Sequence, residues 1–288
     1  MPHRDFRVIW RNGMKKIALA LLGAGVMVSA AAQAGPEEDR KQLVSFYKAK
    51  LPSVKFEDMI HGALALDKDS KSQYDSIMEF PPFEGVIDAG KQMWDKPFKN
   101  GKTFASCFPN GGKNVAGTYP YFDDKQAKVV TFEMAINQCL KNNGEEEFKL
   151  GNVNTMGILT AYARTLSDGM KMNIKVEGPG ALAAYEAGKK FFFQRRGQLN
   201  FSCATCHIDN VGNRIRAEVI SPTLGHATHW PVFRAGENLV TLQTRFRQCN
   251  NQVRAVPLAF GSDDYNNLEY YMSYRDNGLP LKASVFRK

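Results

Sequence analysis

A ten-residue stretch occurs twice in this chain of 288 residues, and that doubling narrows the architectures open to it. Val130 to Cys139 and Val240 to Cys249 both read V-T-[FL]-[EQ]-x-x-[IF]-x-Q-C. The likeness extends on either side. Upstream, Gly90-Lys91 precedes Phe104 to Phe108, as Gly188-Lys189 precedes Cys203 to His207. Downstream, Tyr162 to Gly169 parallels Tyr271 to Gly278. A helix, a short motif region, a cysteine-bearing helix and an aromatic helix therefore follow one another twice. The pattern predicts a mainly α protein of two domains related by internal duplication, over residues 35–175 and 176–288. Gly178-Pro179-Gly180 is read as the boundary, its breakers stopping the helix before it. Outside the repeat, helices are expected over Lys41–Lys50 and Glu57–Asp67, and from Asp88 to Trp94.

The second copy carries Cys203-Ala204-Thr205-Cys206-His207. C-x-x-C-H is the attachment pattern of c-type haem. Two thiols one helical turn apart can add to two vinyl groups, and the histidine after them becomes the proximal iron ligand. A redox dithiol and half a zinc site are the competing readings. No second C-x-x-C and no thioredoxin-like βαβ pattern accompanies the motif, and the adjacent histidine favours haem. Haem buried by helices and long loops points to cytochrome c-like domains, with only the C-terminal one binding haem.

In the first copy Phe104 stands in place of Cys203, and Phe108 in place of His207. Haem cannot be held there in the same way, so one covalent haem c per chain is expected. Cys107 and Cys139 are left over, at the lost haem site and on the matching cysteine helix, and are predicted to form a disulfide. Cys249 then has no partner. By the repeat it lies on the distal side of the haem, opposite His207, where a thiolate would bind iron. Arg245 is four residues earlier, on the same helical face, and its counterpart in the first copy is Ala135. Met272 is an alternative axial ligand, although its aromatic helix suggests core packing. His226 and His229 could supply bis-histidine ligation or a zinc pair. His61 is read as structural or solvated.

Lys15 and Lys16, the charge-free run Ile17–Ala32 and the A-x-A site Ala32-Gln33-Ala34 have the order of a secretory leader, over residues 1–34. The run is about sixteen residues, short of the ~20 needed to span a bilayer. Cleavage after Ala34 would leave no membrane insertion and place the chain in the bacterial periplasm, where disulfides survive. Met1 and Met14 are both candidate starts. The formal net charge is +9, and removing a leader with five basic and one acidic side chain lowers it to about +5. A mild positive charge suits an anionic substrate or an acidic partner. No nucleic-acid motif or long basic block is present.

Together, Cys203 to His207, Arg245 to Cys249 and the degenerate first half resemble the SoxA subunits of SoxAX cytochromes, from bacterial thiosulfate oxidation. The likeness covers nearly the whole chain after the leader, and it is to the single-haem type. It implies iron ligation by His207 and Cys249, the latter as a persulfide, with Arg245 as the active-site arginine. It implies a heterodimer with a small SoxX-like cytochrome c that receives electrons. The substrates implied are thiosulfate and a SoxYZ-like sulfur carrier, whose cysteine becomes a cysteine S-thiosulfonate. Arg247 is a further candidate for holding the anion. Two other readings stand beside this one: a plain electron-transfer cytochrome with Met272 or a histidine on iron, and a scaffold subunit with structural haem.

Overall fold

In a computed structural model, residues 35–215, 217–234, 238–283 and 285–287 are described. The expected leader, with its basic residues and expected cleavage site, lies outside the described residues.

Helix α1 (Pro36–Lys50) begins earlier than the expected Lys41, because Pro36 fits the first helical turn and Glu37, Glu38 and Asp39 complement the positive end of the helix dipole. A 3₁₀ segment (Glu57–Ala65) follows, broken at Gly62. Next come α2 (Lys68–Glu79), capped by the Asp67 carboxylate, and α3 (Glu84–Asp95). The hairpin of β1 (Tyr121–Asp123) and β2 (Lys128–Val130) leads into α4 (Phe132–Asn142). A π-helical turn, Val153–Gly157, opens α5 (Ile158–Thr165).

The second half runs through α6 (Gly178–Phe193), a short helical segment over residues 203–209, and the ribbon of β3 (Arg214–Ile215) and β4 (Glu218–Val219). It continues through β5 (Val232–Arg234), β6 (Asn238–Val240), α7 (Leu242–Gln252), α8 (Asp263–Arg275) and β7 (Val285–Phe286). β5 is central in the order β6-β5-β7, antiparallel to β6 and parallel to β7.

Gly178-Pro179-Gly180 does not stop a preceding helix. It starts α6, with the proline in the first turn where its missing N–H costs nothing. α5 has already ended at Thr165, and residues 166–177 form a turn and one isolated bridge but no helix.

The two halves use the same local devices. Thr131 caps α4 by accepting from the Met134 N–H, and Thr241 caps α7 by accepting from the Thr244 N–H. α3 packs on α5, and α6 on α8. Each crossing turns on one glycine. A Cβ on Gly90 would lie 2.5 Å from the Ile158 carbonyl, and one on Gly188 would lie 1.9 Å from the Asn267 carbonyl. The segments after α5 and α8 then pair with each other, bridging at Lys171 and Pro280.

Where the first half lacks the haem motif, aromatic rings pack. Trp94 stacks on Phe104 and on Phe108, both at 5.5 Å, and Phe108 meets Phe132 at 5.6 Å. Cys107 and Cys139 are joined in a disulfide with a Cα–Cα distance of 5.8 Å. This aromatic cluster is continuous with buried Phe192, Tyr265 and Tyr271 of the second half, so the halves share one core. No described helix is long and apolar enough to cross a membrane.

Candidate functional site

The Cys203–His207 motif sits on its helical turn because Ser202 and Thr205 cap each other. The Ser202 Oγ accepts from the Thr205 N–H, and the Thr205 Oγ1 accepts from the Ser202 N–H, each at 3.1 Å. The Tyr47 hydroxyl of α1, fully buried, donates to the His207 carbonyl and accepts from the Thr223 N–H at 3.1 Å. One phenol thus ties the motif to the loop that passes behind it.

That loop, residues 221–229, fixes the imidazole. The His207 Nδ1 lies 2.9 Å from the Ser221 carbonyl oxygen, which can only accept, so Nδ1 carries the proton and Nε2 presents its lone pair. Burial pushes the His207 pKa down to about 4, keeping the ring neutral. A neutral imidazole oriented through a backbone carbonyl is the form a metal-ligating histidine takes. The His226 ring lies edge-on to His207 at 4.5 Å, and its Nε2 is 2.8 Å from the Ser221 Oγ. His226 therefore supports the ring of His207 from the loop side. His229 is buried beside Trp230, with ring centres 5.4 Å apart.

The loop is itself held by α8. Asp276 accepts from the Gly225 and Ala227 N–H groups at 2.8 and 2.7 Å. Arg275 donates to the Thr223 Oγ1 at 2.8 Å, its guanidinium 4.3 Å from the rings of Phe192 and Tyr271. Both side chains are buried.

Burial pushes the Cys203 thiol up to about 12 and raises Cys206 as well, with Cys249 close enough to both to add to the shift. A redox dithiol needs a depressed thiol pKa, so this environment does not suit one. Among the described residues, no cluster of three or more His, Cys, Asp or Glu has the geometry to hold a metal ion. The arrangement does fit haem: paired thiols on one helical turn, a neutral histidine with a fixed tautomer, and a third cysteine arriving from another helix.

The third cysteine comes from α7. Phe246 and Asn250 turn into the core, the Asn250 amide donating to the Tyr265 hydroxyl at 2.9 Å. Arg245 and Cys249, one position before each, share the neighbouring face. The Arg245 Nη1 donates to the Gln248 Oε1 at 3.4 Å, and its charge helps to lower the His207 pKa. Arg247 points elsewhere. Two residues along a helix is about 200° of rotation, and Arg247 donates to the Leu258 carbonyl with its guanidinium 4.8 Å from the Phe260 ring. Met272 is buried in the core.

Arg234, at the end of β5, was not singled out by the sequence and pairs with Glu218 at 3.1 Å. Burial and the nearby Arg245 push its pKa down, while Glu218 and Cys249 act in the opposite sense. A signal did exist. Hairpin register sets Val232 opposite Val240 and Tyr121 opposite Val130, which makes Arg234 the counterpart of Asp123.

Comparison with known proteins gives a consistent picture. A family model, the cytochrome c domain of SoxA/TsdA, matches residues 89–172, the half without the C-x-x-C-H motif. The L-cysteine S-thiosulfotransferase subunit SoxA of Chlorobaculum tepidum is 45% identical over 260 residues, covering 89% of each chain. The subunit of the same name from Allochromatium vinosum is 38% identical over 282 residues, covering 96% of this chain and 99% of its own. The crystal structure of SoxXA from P. pantotrophus superposes with a TM-score of 0.65 at 32% identity, over 72% of this chain and 79% of that one.

Proposed function

The chain belongs to the SoxA family, and on that footing we propose that Cys249 and Arg245 form the reacting centre of a thiosulfate-coupling site beside one covalent haem. The protein is the haem-bearing catalytic subunit of an L-cysteine S-thiosulfotransferase. Thiosulfate is joined to the thiol of a carrier-protein cysteine, giving a cysteine S-thiosulfonate, one proton and two electrons. Cys203 and Cys206 would hold the haem through thioethers, and His207 and Cys249 would bind its iron. The haem supplies the one-electron route by which the two electrons leave for a SoxX-like cytochrome subunit in a heterodimer. The carrier is SoxYZ-like, and the compartment is the periplasm.

The observation that carries this reading is the pairing of Arg245 with Cys249 on the α7 face that approaches Cys203 and Cys206. The carrier and thiosulfate meet at the Cys249 sulfur. Arg245 offers forked donors to the sulfonate oxygens and holds the sulfane sulfur in line for bond formation. Ser221 keeps the His207 tautomer fixed, and the neutral imidazole needs no proton release on ligation.

The first half is a cytochrome c-like domain that has lost its haem by duplication and divergence. The match of residues 89–172 to a cytochrome c family model supports this, as do the shared caps and helix-crossing glycines. Trp94, Phe104 and Phe108 fill its interior instead.

The test is a Cys249→Ala chain purified with its cytochrome partner. Thiosulfate-dependent turnover should vanish while intact mass still reports one covalent haem. Peptide mapping of the wild type should find extra sulfur on Cys249. Full turnover in the variant would leave only an electron-transfer cytochrome.

A further inference from the structure

Cys249 lies in the last turn of α7, and helix ends fray unless something holds them. Both cysteine helices close with the same C-terminal turn. After α4 the Glu145 N–H donates to the Leu140 carbonyl at 2.9 Å, and the Gly144 N–H to that of Lys141 at 3.1 Å. After α7 the Ala255 N–H donates to the Asn250 carbonyl at 2.9 Å, and the Arg254 N–H to that of Asn251 at 3.0 Å. Such a turn needs one left-handed residue, usually glycine. Gly144 supplies it after α4 at φ 75°, but Arg254 takes it after α7 at φ 58°. A side chain disfavours that conformation, so the end of α7 needs outside support. The loop between α6 and the Cys203 motif gives it. Arg196 and Phe201 exchange backbone hydrogen bonds at 2.9 and 3.2 Å, closing the loop on itself. From its tip the Leu199 N–H donates to the Val253 carbonyl at 3.3 Å, and the Gln198 N–H to the Arg254 carbonyl at 3.4 Å. Gly197 lets the backbones come this close. At φ 68°, its Cβ would stand 2.1 Å from the Val253 carbonyl oxygen and 2.8 Å from the Ala255 nitrogen. Val253 in turn donates to the Cys249 carbonyl at 3.2 Å, and Phe201 is two residues before Cys203. Backbone contacts thus run from the first thiol of the motif to the turn that carries Cys249. In the other half the same two segments are joined by the Cys107–Cys139 disulfide and through Glu145, which accepts from the Lys99 N–H at 2.7 Å.

We propose that residues 197–199 are a positioning strap for the Cys249 sulfur: Gly197 sets how far the last turn of α7 stands from the Cys203 segment, and so where that sulfur is held. This rests on the assignment of Cys249 above. A sulfur that both binds iron and meets a substrate cannot drift with a fraying helix end. Tying α7 to the segment of Cys203 fixes the sulfur relative to the residue that would anchor the haem. The strap acts through Cys249, so Gly197 is a positioning residue.

The experiment uses the haem-loaded complex with its cytochrome subunit and carrier, and reads the ferric absorption and EPR spectra, the reduction potential and kcat. Gly197→Ala should keep one covalent haem by intact mass, lose the signature of sulfur ligation and raise the potential. Its kcat should fall by about 100-fold, the cost of a displacement of about 1 Å. Leu199→Pro, which removes the donor to Val253, should move the same readouts in the same direction. If Cys249→Ala leaves the ferric spectrum as in the wild type, Cys249 is not a ligand, and the reading above fails together with this inference. If Cys249→Ala changes the spectrum while haem-loaded Gly197→Ala and Leu199→Pro keep it, the strap alone is refuted. A fall in thermal midpoint with spectrum and potential unchanged would make the loop a structural element and refute it as well. Where a variant fails to load haem, hydrogen exchange of the wild-type complex decides. The Leu199 and Val253 amides should exchange slowly and together, and free exchange at Leu199 would overturn the proposal.

Discussion

The Cys107–Cys139 cross-link closes a sequence separation of 32 residues in the half that lacks the C-x-x-C-H motif. For that loop, the lost entropy of the unfolded chain corresponds to about 3.7 kcal/mol at 25 °C. The two ends sit differently. Cys139 is buried, at 3% exposure, while Cys107 lies at the surface. Cys107→Ser with Cys139→Ala therefore removes the cross-link with little new polar burial, and the lost sulfur at position 139 adds roughly 1 kcal/mol. The double variant should lose about 4–5 kcal/mol in total, much of a typical domain's ~5–15 kcal/mol. Urea unfolding of oxidised wild type and variant measures this, with m rising in the variant because its unfolded chain exposes more surface. A loss below about 1 kcal/mol would refute the entropic account. It would mean that the stacking of Trp94 on Phe104 and Phe108 holds this half together without the cross-link.

Gly188→Ala should be among the most damaging single changes, since its Cβ would fall 1.9 Å from the Asn267 carbonyl and 2.8 Å from the Tyr271 Cβ. Prising α6 from α8 should cost more than ~3 kcal/mol, read as a fall in thermal midpoint and in haem-loaded yield. Stability should also depend on pH through Glu269, whose carboxyl is buried near Glu133 and is pushed up to about 8, chiefly by burial. A carboxyl with a raised native pKa contributes stability that is full below its unfolded value and is lost as pH rises through the native one. The wild type should therefore weaken between about pH 5 and 9, at no more than ~1.4 kcal/mol per unit. Glu269→Gln should flatten that slope in thermal melts across the range, and an unchanged slope would clear Glu269 of the effect.

The repeat exposed most of the fold because its fixed points are ones a helical half cannot exchange freely. Thr131 and Thr241 are caps, Gly90 and Gly188 are helix crossings, and neither role tolerates many residue types. Cys107 and Cys139 could be paired from sequence for the same reason, since each has a definite place in the other copy. The correspondence of Arg234 with Asp123 escaped because one residue fewer separates β5 from β6 than separates β1 from β2. The offset hides the match between Pro120-Tyr121-Phe122-Asp123 and Pro231-Val232-Phe233-Arg234 until strand register restores it. Gly178-Pro179-Gly180 was misread because a proline opens a helix as readily as it ends one. Arg247 looked like a site residue through its nearness to Arg245 in the chain, but helical rotation carries it to the opposite side, onto Phe260.

The half that lacks the haem motif is built into the site that the other half carries. The Arg164 guanidinium on α5 donates to the Ala227 carbonyl at 3.3 Å, inside the loop that holds His207. Gly157, at the start of α5, lies so close to Leu239 of β6 that a Cβ would meet its side chain at 2.9 Å. Phe122 of β1 packs over Gly180 at the start of α6, where a Cβ would meet the ring at 2.6 Å. The first half therefore braces the loop behind the histidine, the strand that pairs with Arg234's strand, and the helix that leads to the paired thiols. Such contacts need a rigid partner more than a second cofactor. Three packed aromatic rings and a cross-link give that rigidity without one. A half without a C-x-x-C-H motif can therefore still serve the other, because these contacts are made through its surface.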